Sequence, residues 1–194
     1  MPEIQAAQEQ QNQAAKKAWG ICTNARDIQD IDIRHFPFLE KIGMKASELW
    51  PLKVHTDGRL ILPILNSDFH IINLLFLDVE ENPRRIPGAQ VEGGFFFFGG
   101  SESVTLNKVY LCRKLSNALI LHRDTGQPVF LYFTATNLEP VVDVILSSEW
   151  FKQHQLVLAS DNEDFDAIRE VSKRRNLSCF LMPDLSGEQE AANE

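Results

Sequence analysis

Two periodicities divide the chain. From Leu52 to Leu77 apolar residues recur with the two-residue period of half-buried strands. From Lys108 to Pro183 short apolar runs alternate with segments of helical period. In the first stretch Leu52–Thr56 leads into Asp57–Gly58, a strong hairpin signal, and Leu60–Leu65 returns. Asn66–Ser67–Asp68 turns the chain again into Phe69–Leu77, so residues 51 to 78 are expected to form an antiparallel meander, with a loop at Asn82–Gly88 after it.

In the second stretch strands are predicted at Val109–Cys112, Pro128–Phe133, Gln155–Ser160 and Leu177–Met182. Helices are predicted between them: Leu115–His122 running to Gly126, Leu138–Ser147 capped by Asn137 with Pro140 in its first turn, and Glu163–Arg175 with Phe165, Ile168 and Val171 on one face. Strands alternating with helices of this length imply a parallel sheet with right-handed crossovers. In such a sheet ligands bind beyond the carboxyl ends of the strands. Two of those ends are charged: the first strand stops at Arg113–Lys114 and the third at Asp161–Asn162–Glu163–Asp164.

Before the meander, residues 3 to 18 are rich in Gln, Ala, Glu and Lys with a thin apolar stripe. That pattern predicts a frayed surface helix ordered by packing Trp19 and Ile21. A second short helix is expected from Asn24 to Asp30, and a third in His35–Lys41 opened by Pro37. The expected organisation is an α/β core within an α+β whole: an N-terminal helical segment over 1–50, an antiparallel β region over 51–105, an α/β core over 106–184 and a disordered polar tail over 185–194.

Gly93–Gly94–Phe95–Phe96–Phe97–Phe98–Gly99–Gly100 reads as a strand bent at both ends. Its phenylalanines could stack nucleobases. Successive strand residues face opposite sides, however, and all four are apolar, which favours burial on both faces.

Composition narrows the classes. With 194 residues and 44% hydrophobic content the chain can bury an ordinary core. A net charge of −8 is not that of a default nucleic-acid binder, although Arg84–Arg85, Arg113–Lys114 and Lys173–Arg174–Arg175 are local basic clusters. Cys22, Cys112 and Cys179 have neither disulfide-framework nor zinc spacing, and Cys112 and Cys179 sit inside strand patterns as small buried hydrophobes. No signal peptide or membrane-length apolar run is read, so the expected setting is cytoplasmic. The sequence sets no oligomeric state.

From Ala18 to Pro183 the order of parts resembles the Toprim-containing primases of phages and conjugative plasmids. The run His35–Phe36–Pro37–Phe38–Leu39 is similar to a family His-Pro-Tyr-Leu segment. Asn73–Leu74–Leu75–Phe76–Leu77–Asp78 is similar to its Asn-Leu-Gln-Phe-Ile-Asp strand, and Pro87–Gly88 with Gly93–Gly94 to its glycine loop. Asn117–Ala118, His122 and Thr125–Gly126–Gln127–Pro128–Val129 follow the next family segment, and Asn137–Leu138 an Asn-Leu pair after the second strand. Asp161–Asn162–Glu163 stands where the family has Asp-x-Asp. In that family a Glu-Gly pair follows the first strand, and its Glu and the paired aspartates hold Mg²⁺. Here the Glu-Gly position reads Arg113–Lys114, and only Asp184 follows the last strand.

The resemblance therefore implies a Toprim-like fold with a degenerate metal site, and a non-catalytic, primase-derived protein of a mobile element. It would act by binding nucleic acid or a replication or conjugation partner, for example as a fertility-inhibition or interference factor, with no cofactor. Arg113, Lys114, Arg84 and Arg85 are the candidate anion and nucleic-acid contacts. Arg113 and Lys114 read either as internal ion-pair partners of Asp161 and Glu163 or as a phosphate site at a helix start. The alternative is a Mg²⁺-dependent nuclease or nucleotidyl transferase with Asp161 and Glu163 catalytic and Asp161, Glu163 and Asp164 as ligands; acids at a helix start are also ordinary caps, and the pattern favours that reading of them over a metal site. A third reading, a pure protein-interaction module, accords with the acidic charge. His122 is expected to be a packed or surface histidine, and Lys173–Arg175 a solvated helix end.

Overall fold

A computed structural model describes residues 2–99, 105–149 and 151–182, and the expected tail at 185–194 lies outside them. Among the described residues two five-stranded sheets carry the fold. The first holds, in chain order, helix α1 (Pro2–Asn24), strand β1 (Arg26–Asp27), helix α2 (Pro37–Lys41), and strands β2 (Lys53–Val54), β3 (Leu60–Leu65), β4 (Ile71–Leu77) and β5 (Pro83–Arg85). All its strand pairs are antiparallel in the order β1-β2-β3-β4-β5. The meander is as expected, and it gains a strand at each edge. The short strand β5 falls inside the stretch expected to be a loop.

The second sheet holds β6 (Phe96–Phe98), β7 (Lys108–Cys112), helix α3 (Leu115–Thr125), β8 (Val129–Leu131), helix α4 (Leu138–Ser147), β9 (Gln155–Ser160), helix α5 (Phe165–Arg175) and β10 (Ser178–Leu181). Its order is β10-β9-β7-β8-β6; β6 runs antiparallel to β8 and the other pairs are parallel. This is the α/β core that the alternating pattern implies. Gly126 ends α3 at φ +64° with its N–H donated to the His122 carbonyl at 2.8 Å, a left-handed position that suits glycine.

Several local expectations need correction. Helix α1 does not order through Trp19, which is 61% exposed; Ala14, Ala18 and Cys22, four residues apart, pack against Ile61, Leu74 and Phe76. Small side chains let the helix lie close on the sheet, which a search for large apolar residues misses. Asn24 opens no second helix: its side chain donates to the Gly20 carbonyl at 2.7 Å, closing α1 instead. Asn137 does not cap α4 with its side chain either. That side chain is buried, accepts from Gly93 N at 2.8 Å, and donates to the carbonyls of Gly94 at 2.8 Å and Tyr132 at 3.0 Å. The Lys173–Arg175 end is not merely solvated, because Arg174 pairs with Glu139 and Arg175 with Asp143, each at 2.8 Å, tying α5 to α4.

The aromatic run joins the two sheets. Leu65 and Phe95 exchange backbone hydrogen bonds of 2.7 and 3.0 Å, so the first sheet is stitched to the strand that begins the second. Phe95, Phe96 and Phe98 are buried, and Phe97 stacks on Phe130 at 5.2 Å. The rings are core, not a platform for bases. One apolar cluster runs across the join, from Leu62, Leu75 and Leu77 to Phe98, Leu119 and Leu131. His122 is a packed histidine, stacked on Phe98 at 5.7 Å with Nδ1 3.1 Å from the Gln127 carbonyl.

Candidate functional site

Strands β7 and β9 are parallel neighbours in register from Lys108↔Gln155 to Leu111↔Leu158. Their carboxyl ends therefore deliver Arg113–Lys114 and Asp161–Asp164 to the same edge. Arg113 Nη2 lies 2.5 Å from Glu163 Oε2, and Arg113 Nε lies 2.6 Å from Asp164 Oδ2. Lys114 Nζ lies 2.8 Å from Asp161 Oδ2 and 3.1 Å from Glu163 Oε1. The five charged side chains at these strand ends, Asn162 apart, thus form one network. Side-chain exposure is 12% for Asp164, 20% for Asp161 and 64% for Glu163, so two acids are set into the fold and one stands outside it.

The electrostatics follow from this placement. Burial pushes the Asp161 carboxyl up, but the hydrogen bond and charge of Lys114 outweigh it and hold the group below its usual range. Burial pushes Asp164 up, and Arg113 does not fully offset this against the neighbouring Asp161 and Glu163 charges. Burial also works to lower Lys114, yet its bonds to Asp161 and Glu163 raise it above its ordinary value. Cys112, just before Arg113, is fully enclosed, and burial pushes its thiol up, so it is a packed apolar group here.

Beside the network opens a cleft of about 440 Å³ between the two sheets. Leu77, Leu131 and Phe133 supply apolar wall, and Glu81, Arg113, Lys114 and Glu163 supply charge. Glu81 and Phe133 both have φ +64°, a left-handed conformation unfavourable for side chains of this size. Sequence reasoning missed Glu81. The tight turn that carries it is held by Asp78, whose Oδ1 accepts from Glu80 N at 3.0 Å and Asn82 N at 2.9 Å. Glu81 then accepts from Ser116 N at 3.0 Å, covering the amino end of α3 from the opposite sheet. Burial pushes its carboxyl up, against the Ser116 and Leu115 amides and Lys114. The available signal was an acid in a turn of Asp and Asn after an apolar strand, which names no distant partner.

Arg84 and Arg85 do not join the network. They stand exposed on β5, whose Pro83 lines the cleft, while Arg85 borders a second hollow of about 370 Å³ with Thr134, Thr136 and Asn137. Among the described residues no group of three or more His, Cys, Asp or Glu side chains is arranged to hold a metal ion. Among them, too, no helix is long and apolar enough to cross a membrane.

No protein-family model matches this sequence, and no curated protein matches it either. Solved structures do. The DnaG primase catalytic domain bound to ssDNA aligns over 93% of this chain and 76% of its own length, with a TM-score of 0.50 and 11% identity. The primase fragment of the bacteriophage T7 primase-helicase protein aligns over 76% of this chain with a TM-score of 0.48 and 16% identity, and this chain spans 61% of that fragment. The RNA polymerase domain of Mycobacterium tuberculosis primase DnaG gives a TM-score of 0.42 and 14% identity over 77% of this chain and 55% of its own. At such identities the likeness concerns the fold: the mixed α/β architecture is primase-like.

Proposed function

We propose that the chain is a binding protein built on a primase-like fold, whose cleft receives single-stranded nucleic acid without metal-dependent chemistry. The observation that carries this reading is the pairing of Arg113 and Lys114 with Asp161, Glu163 and Asp164. A divalent ion needs converging carboxylate oxygens free to turn toward it. Here it would meet a guanidinium and an ammonium, and would have to strip each carboxylate of its cation. Mg²⁺ does not fit this donor set, and no step is assigned to it. Phosphate oxygens suit a guanidinium fork beside an ammonium, and Arg84 and Arg85 add exposed positive charge on β5 of the other sheet, whose Pro83 lines the same cleft. With a net charge of −8 over the whole chain opposing a polyanion, such binding is confined to this patch and is salt-sensitive.

The resemblance of the sequence to phage and plasmid primases supports a home in a mobile element. There such a protein would act on a replication or conjugation intermediate, or on the protein that handles it, as an interference factor. A second reading, a Mg²⁺-dependent nuclease or nucleotidyl transferase using Asp161 and Glu163, draws support from Glu81, a further acid lining the same cleft.

Fluorescence anisotropy with labelled oligothymidylate in EDTA tests the first reading. The expected result is binding without metal, weakened when Arg84 and Arg85 are both changed to Ala. Cleavage that requires Mg²⁺ and disappears with Asp161→Ala would overturn it in favour of the second. No binding even at roughly 50 mM salt would favour a protein partner.

A further inference from the structure

Two cations and three acids meet at the ends of β7 and β9, and the acids are not equivalent. Asp161 and Asp164 are the more enclosed, and each holds one cation: Asp161 holds Lys114 at 2.8 Å, and Asp164 holds Arg113 at 2.6 Å. Glu163 touches both cations, at 2.5 and 3.1 Å, and its side chain is 64% exposed on the cleft side. One carboxylate spanning a guanidinium and an ammonium occupies the position that a phosphate bridging the same two groups would take. Ion pairs at this exposure contribute little and break readily, whereas the inner pairs keep the cations aimed when the outer one leaves.

We infer that Arg113 and Lys114 form a phosphate site that the chain itself occupies with Glu163, and that an incoming phosphate displaces this carboxylate while Asp161 and Asp164 hold the cations in place. The inference rests on the nucleic-acid reading above and adds to it a competitor within the chain. Glu163 lies in the turn before α5, two residues short of its first helical residue, so its side chain can swing outward without unwinding the helix. Displacement frees one carboxylate, which takes up a counterion and offsets part of the counterion release on binding.

The test compares wild type, Glu163→Gln and Arg113→Ala with a labelled oligothymidylate of roughly 12 nucleotides across a salt series. Glu163→Gln keeps the shape of the side chain and removes its charge. It is expected to bind roughly three- to tenfold tighter at low salt, with the log–log salt slope steeper by up to about 0.7. Arg113→Ala is expected to weaken binding. Unchanged affinity and slope in Glu163→Gln, with Arg113→Ala still weakened, overturn the displacement while the nucleic-acid reading stands. Affinity unchanged in both variants overturns the site altogether. Glu163→Ala serves as the repeat and is expected to follow Glu163→Gln.

Discussion

Arg113 Nε donates to Asp164 Oδ2 at 2.6 Å, joining the loops that leave two neighbouring parallel strands. Few contacts at this edge of the sheet are as enclosed, since the Asp164 side chain is only 12% exposed. Arg113→Ala leaves that carboxyl without its cation in a site already unfavourable to charge. The variant should lose about 1–2 kcal/mol at neutral pH, less than for a fully buried pair. Urea denaturation should show the deficit shrinking as pH falls, because Asp164 then accepts a proton.

Asp161 and Lys114 contribute with opposite pH limits. The Asp161 carboxyl is held low, so its support is present above its ordinary value of about 3.9 and is lost as pH falls through the folded value. The Lys114 ammonium is held high, so its support is present below about 10.4 and is lost as pH rises through the folded value. Asp161→Asn should be less stable than wild type near neutrality, and the gap between their urea midpoints should close as pH is lowered from about 6 to about 2.

Glu81 has the reverse sign. Its carboxyl is raised by burial, so the folded state binds this proton more tightly than the unfolded chain does. Wild type should therefore gain stability relative to Glu81→Gln as pH falls through the carboxylate range, with the variant equal or better above it. Glu81→Ala additionally leaves the Ser116 amide without its partner and should cost about 0.5–2 kcal/mol, the size of a lost helix cap. Thermal melts of the three proteins at two pH values would check both statements.

Asn137 is the buried pin of the glycine loop. Its amide makes three hydrogen bonds to backbone on either side, and an Ala there would leave them open. Asn137→Ala should cost about 2–4 kcal/mol, visible as a lower urea midpoint. Gly94 beside it admits no larger residue, since an added Cβ would lie 2.6 Å from Ile64 Cγ2 and 2.9 Å from the Val91 carbonyl oxygen.

What the sequence made legible follows from how local each signal is. The β7–α3–β8–α4–β9–α5–β10 alternation was readable because each run is short, apolar and punctuated by a cap or glycine. The meeting of Arg113 and Lys114 with Asp161 and Glu163 was readable only through topology, since parallel neighbours bring their carboxyl ends together whatever lies between them in sequence; that Arg113 also takes Asp164 was not read. Glu81 was not readable, because nothing near it names Ser116, thirty-five positions away. Trp19 and Asn137 misled for one reason. A large ring suggests core, and an Asn before a helix suggests a cap, but tertiary contacts gave packing to Ala18 and gave the amide to another loop.

The backbone exchange between Leu65 and Phe95 sets how this molecule can respond to an occupant. The walls of the cleft come from different sheets, yet they are sewn together through a common interior, so neither can pivot away from the other like a jaw. In the binding reading proposed above, an occupant is then met by rearranging side chains at a fixed mouth. Amide hydrogen exchange should find Leu65, Phe95 and Leu111 released together, in a single global opening, with or without a bound strand.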